Sequence, residues 1–222
     1  MEPNLTHGIV WYVVLLYSTV FHEAAHAWAA YKLGDDTAHR GGQVSLDPIP
    51  HIMREPIGLV VVPIISYMAN GWMMGWASAP YDPHWALNYP KRSAIMSMAG
   101  PAANLILVVL SFIVLSFGVR AGYFDASPIQ EVTGVWGMVG VVMFITFMLN
   151  TILLIFNLLP IPPLDGSAIP LFFLKGSKAE EYQHFIRQPQ VALAGMFIAF
   201  YSGGYIVWPI FIKILSLLPR GA

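Results

Sequence analysis

A run of apolar residues at about positions 9–31, IVWYVVLLYSTVFHEAAHAWAAY, is long enough to cross a bilayer, which takes about 20 mostly apolar residues. Yet it carries three ionisable side chains, His22, Glu23 and His26. Charged groups at membrane depth cost roughly 2.5–3.5 kcal/mol each on insertion scales, and those that persist mark a functional site. What the chain can become is therefore limited to folds that bury these three groups usefully.

The remainder has the same apolar character. Of 222 residues, 57% are hydrophobic and only 10% are charged, whereas a soluble domain has about 25% charged residues. So little polar surface cannot solvate a globule, and the chain reads as an all-α polytopic membrane protein. A net charge of −1 offers no basic face for nucleic acid. The absence of cysteine removes disulfides, thiolate nucleophiles and cysteine-type zinc sites. The opening MEPNLTHG has no cluster of positive charge and no small-residue cleavage site follows, so the first run is expected to stay as a membrane helix.

About five transmembrane helices are expected, at roughly 9–31, 57–77, 94–119, 135–159 and 191–218. The Asn70-Gly71-Trp72 step is a place for the second to kink or end, and Ser202-Gly203-Gly204 with Pro209 can bend the last. A short apolar piece at 168–174 cannot span alone. In the first loop, Gly41-Gly42 leads into the alternating QVSLDPI, which predicts a short β-hairpin or strand around 43–46, ended by Pro48. The segment KAEEYQHFIRQ, at 178–188, predicts an amphipathic helix at a membrane surface. Lys and Arg are spread evenly over alternate loops, so the positive-inside rule assigns no orientation. The whole of 1–222 is expected to be one domain.

On a helix, positions i and i+4 share a face one turn apart. His22 and His26 can thus aim imidazole nitrogens at one point, while Glu23, offset by about 100°, can reach a bound water instead of the metal. This is the logic of H-E-x-x-H, two ligands and a general base. The bland alternative is a buried ion pair between Glu23 and a protonated histidine. A catalytic zinc needs a third protein ligand and an open position. Asp35, Asp36, His39 and Asp47 lie in a polar loop that suits a solvated face, and His51 and His84 lie in loops beside prolines. Asp165 is better placed. It follows Pro160, Pro162 and Pro163, which break an apolar helix, and irregular backbone at membrane depth is tolerated only where protein or a wet cavity surrounds it. Its ordinary alternative is a helix N-cap before a turn glycine.

Three stretches together carry a resemblance: HEAAH in the first helix, AGPAANL at 99–105 and NLLPIPPLDG at 157–166. Their identity and order resemble the site-2 protease family of intramembrane zinc metalloproteases. GWASAPYDP at 75–83 and SLDPIPHI at 45–52 resemble its compact prokaryotic branch, and no stretch resembles a PDZ or CBS module. The resemblance implies one catalytic Zn2+ held by His22, His26 and Asp165, with Glu23 as general base and Asn157 binding substrate or the oxyanion. It makes Gly100, Pro101 and Asn104 a packing motif of the helix at about 94–119. The residues around 43–46 would be an edge strand that pairs with unwound substrate. It further implies a multi-pass protein of a prokaryotic cell membrane, acting on transmembrane protein substrates within the lipid bilayer. The chain departs from the family at Ser167, where a second glycine is common, and in the eight residues that precede Ile9, where the family often has a further helix.

Other functions fit less well. A non-catalytic membrane metal-binding or metal-handling protein would have no use for Glu23. A transporter would need polar residues along several helices, and a histidine-box oxidase would need further histidine pairs, which the chain lacks.

Overall fold

The structure, a computed structural model, describes residues 5–124 and 134–219; residues 1–4 of the polar N-terminus lie outside them. Apolar patterning and terminal prolines set most of its elements. Helix α1 (Leu5–Lys32) is followed by the short α2 (Thr37–Arg40) and α3 (Pro48–Arg54). A π-helical turn, Ile57–Val61, runs into α4 (Val62–Asn70), and α5 (Pro83–Asn88) precedes the long α6 (Pro90–Arg120). Then come α7 (Gly134–Asn157), a 3-10 helix (Asp165–Phe172), α8 (Ser177–Ile186) and α9 (Pro189–Leu215). Proline opens α3, α5, α6 and α9, where its missing N–H has no helical partner to lose.

Helix α6 is the centre of the bundle, packed along α1 on one side and α7 on the other, with the 3-10 helix against it. The buried side of α1 recurs at helical spacing through Leu15, Ser18, His22, His26 and Ala30, so the polar groups share the face that the other helices cover. Val14 and Leu15 of α1 meet Val141, Ile145 and Leu149 of α7, with Tyr67 and Met73 closing that cluster. Val108 and Leu115 of α6 pack against Phe147 of α7. The outer faces remain apolar, with Ile9, Val13, Leu110, Ile113, Phe197 and Trp208 all exposed, as lipid-facing surfaces are.

Two expectations are corrected. Four helices, α1, α6, α7 and α9, are long and apolar enough to span, and the expected fifth is not a straight span. Its five π-helical and nine α-helical residues reach only about 21 Å at 1.5 Å per residue. The helix stops at Asn70, where Gly71 takes φ 73°, and the chain turns back, with the Trp76 N–H donating to Gly58 O at 3.2 Å. Together with α3 it forms a pair bent by 111°, either a broken span or a re-entrant loop.

The second correction concerns the strand around 43–46, because no β-strand occurs among the described residues. Local side chains take the backbone groups that a strand would have paired. The Asp47 N–H donates to Ser45 Oγ at 3.0 Å, the Ile49 N–H to Asp47 Oδ1 at 3.0 Å, and His51 Nε2 to Ser45 O at 3.1 Å. Asp47 thereby caps α3 and bends the chain out of extension, the usual effect of short polar side chains that compete with a ladder. Gln43 is buried and donates to Ser78 O at 3.3 Å. That contact ties the loop to the irregular segment before α5.

Candidate metal centre

His22 and His26 lie one turn apart on α1, and their ring planes stand at 82° to each other. The chain after α7 cannot remain helical through Pro160, Pro162 and Pro163, and the 3-10 helix starts at Asp165. Leu164, just before it, is extended (φ −66°, ψ 154°) and makes no side-chain cap. The Asp165 carboxylate faces the histidines instead of capping the helix. Its Oδ2 lies 3.2 Å from His22 Nε2, and its Oδ1 lies 3.4 Å from His26 Nε2. The two Nε2 atoms are 2.9 Å apart. A tetrahedral zinc with bonds of about 2.0–2.1 Å has ligand–ligand edges of about 3.3 Å, so the triangle has the size that such an ion requires. Among the described residues this is the one cluster of three or more such groups that could hold a metal.

Hydrogen bonding around the triangle argues for a cation within it. His26 Nδ1 donates to Met96 O at 2.8 Å, and His22 Nδ1 donates to Asn104 Oδ1. A neutral imidazole has one proton, so both Nε2 atoms present lone pairs towards each other and towards a carboxylate. Asp165 Oδ2 is buried and accepts no hydrogen bond. Three electron-rich atoms held this closely repel one another until a cation lies between them, and the residues fit zinc.

Gly100 of α6 makes room for this arrangement. A methyl group on its Cα would lie 2.3 Å from His26 Nε2 and 2.5 Å from His22 Nε2, well inside any allowed contact. The glycine of the AGPAANL stretch thus seats the imidazoles as well as packing helices.

Glu23 is 5% exposed, and its carboxylate acts electrostatically on His26. Asn157 ends α7, half-buried, and no hydrogen bond joins it to the triangle. The other candidate ligands are engaged elsewhere. Asp35 accepts from Thr37 and from the Asp82 N–H, and Asp36 pairs with Arg40 at 2.9 Å. His39 stacks on Tyr31, Asp47 caps α3, and His51 is buried against Ser45 O. His84 is exposed in the first turn of α5.

Sequence reasoning missed what lies behind His22. Asn104 Nδ2 donates to Asn150 Oδ1 at 2.7 Å, and both asparagines are fully buried. Asn150 lies in the apolar α7, where a lone buried amide is the kind of signal that could have revealed it.

The family model of peptidase family M50 matches residues 10–202. YwhC of Bacillus subtilis, named as a candidate zinc metalloprotease, is 30% identical over 210 residues, which cover 89% of this chain and 83% of that protein. Rip2 of Mycolicibacterium smegmatis, named likewise, is 30% identical over 151 residues, 68% of this chain and 52% of its own. Rip2 of Mycobacterium tuberculosis is 32% identical over 170 residues, 76% of this chain and 59% of its own. The chain therefore spans little more than half the length of the Rip2 proteins. No solved structure matches it.

Proposed function

The chain belongs to peptidase family M50, the zinc metalloproteases of the site-2 type, and we propose that it cuts membrane proteins within or beside their transmembrane segments. The convergence of His22, His26 and Asp165 on one point inside an apolar bundle carries this reading. In it the three residues hold one zinc ion. Zinc bound there supplies Lewis acidity, polarising a carbonyl and making water a competent nucleophile near neutral pH.

The protein's own residues do the rest. Glu23, adjacent to His22 in sequence and buried on α1, takes the proton of the attacking water and delivers it to the leaving amine. Asn157, at the edge of the helix break, donates to the developing oxyanion, a contact worth about 2.7–4 kcal/mol in a protease where it was removed. The apolar spans around the site exclude bulk water and favour a substrate that is itself a membrane segment. A helical substrate hides its carbonyls in its own hydrogen bonds, so it must unwind locally before attack. The bilayer is the medium of the reaction, and the bacterial relatives suggest a bacterial cell membrane.

A non-catalytic metal protein would leave Glu23 buried at a cost and without use. The deciding experiment is Glu23→Gln in the purified chain with a single-span model substrate in detergent. Zinc content should stay at one per chain while cleavage disappears; retained cleavage would refute the assignment of the base.

A further inference from the structure

His22 and His26 both present Nε2 to the metal position, but their tautomers are secured differently. The Met96 carbonyl can only accept, so it holds the His26 proton on Nδ1 directly. The partner of His22 is a carboxamide, which offers an acceptor or a donor according to which way it is turned. Turned over, Asn104 would present its NH2 group to His22 Nδ1 and favour the proton on Nε2. That atom must be bare to bind a metal.

Asn104 is held by Asn150. The Asn104 NH2 donates to Asn150 Oδ1 at 2.7 Å, and the Asn150 NH2 donates to Thr146 O at 2.8 Å and to Ser18 Oγ at 2.9 Å. A backbone carbonyl only accepts, so Thr146 O fixes which end of Asn150 faces it. Asn150 Oδ1 must then face Asn104, and Asn104 Oδ1 must face His22. Both asparagines are fully buried, which denies a flipped amide any compensation from water.

We propose that Asn150 is a positioning residue of the metal centre: anchored on Thr146 O, it orients Asn104 and so keeps the His22 proton on Nδ1. The zinc site starts from a backbone carbonyl of α7, two side chains away from the ligand that it prepares. Ser18, on α1 four residues before His22, receives the second Asn150 N–H and ties the anchor to the ligand-bearing helix. The proposal rests on the metal-site reading above.

The test is a double-mutant cycle read as zinc affinity, by competition with a chelator on the purified full chain in detergent. Asn104→Asp presents an oxygen to His22 whichever way it turns, so it needs no orienting partner. Asn150→Leu should weaken zinc binding by about 10–100-fold, the usual cost of losing an outer partner of a metal ligand. In the Asn104→Asp background the same substitution should cost far less, a coupling of about tenfold or more. Equal losses in both backgrounds would reduce Asn150 to ordinary packing, and no loss in the single variant would overturn the proposal. Asn150→Ser, too short to reach Asn104, carries the same comparison if the leucine variant does not fold. A wild-type chain that takes up no zinc defeats the metal-site reading itself, whereas zinc-binding wild type with unaffected Asn150→Leu defeats only the relay.

Discussion

Asp165 Oδ2 lies 3.2 Å from His22 Nε2, although the two residues are 143 positions apart in the chain (165 − 22). Helix α6 lies between them in sequence and against both in space, packing on α1 and on the 3-10 helix. The proline break after α7 is what lets a carboxylate come back to α1 at this depth.

That placement makes Asp165→Asn informative. The substitution keeps the shape and removes the negative charge that offsets a divalent cation. Outer partners of metal ligands are worth about 10–100-fold in affinity, so loss of this contact should cost at least about 100-fold. Metal analysis of the purified variant should show well under one zinc per chain. Undiminished zinc would remove Asp165 from the ligand set.

Gly100→Ala should abolish zinc binding from the opposite side of the site. The added methyl would collide with both Nε2 atoms, and the imidazoles would have to swing away from Asp165. Overpacking of this kind costs about 1–3 kcal/mol, which a bundle of this size can absorb. Helix content by circular dichroism should persist while zinc uptake is lost; a variant that binds zinc normally would contradict the geometry of this seat.

Much of this centre is legible in the sequence because helical spacing is rigid. His22 and His26 share a face by geometry alone, and three prolines before Asp165 announce an interruption. The first-loop strand misled because alternation in QVSLDPI is shared by strands and by capped turns, and the choice fell to Ser45, Asp47 and His51. Helix α4 ends at the Asn70-Gly71 step that the sequence marks, with Gly71 in the left-handed region, whereas the return of Trp76 onto Gly58 is a long-range contact that no local pattern shows. An amide in the apolar α7 marks Asn150 as unusual, but what Asn150 and Ser18 do is not legible from sequence. Their meaning lies in partners on other helices, and nothing in their local spacing points to α6.

Metal removal should lower stability as well as activity. Without a cation, the two bare Nε2 atoms and the buried carboxylate repel one another. A ligand that binds only the folded state at 100 times its Kd adds about 2.7 kcal/mol. Thermal unfolding after chelation should therefore begin at lower temperature and recover as zinc is returned. In Asp165→Asn the same zinc additions should leave the transition unmoved; an equal shift in that variant would place the stabilising ion elsewhere.

The break that carries Asp165 is braced by α9, and one pair of substitutions separates that contact from generic helix effects. A methyl on Gly195 would lie 1.8 Å from Pro162 O, a backbone atom that cannot rotate aside, whereas one on Gly204 of the same helix would meet nothing within 4 Å. Leu159 and Leu164 of the break also pack on Ala199 of α9. Gly195→Ala should push α9 off the break, lower the unfolding temperature, and weaken zinc binding as Asp165 loses its support. Gly204→Ala should do neither and should gain slightly, since alanine is favoured over glycine in a helix by up to about 1 kcal/mol. Unfolding temperature and zinc affinity measured for both variants in one detergent decide the matter. Equal behaviour of the two would mean that α9 leaves the metal centre unsupported.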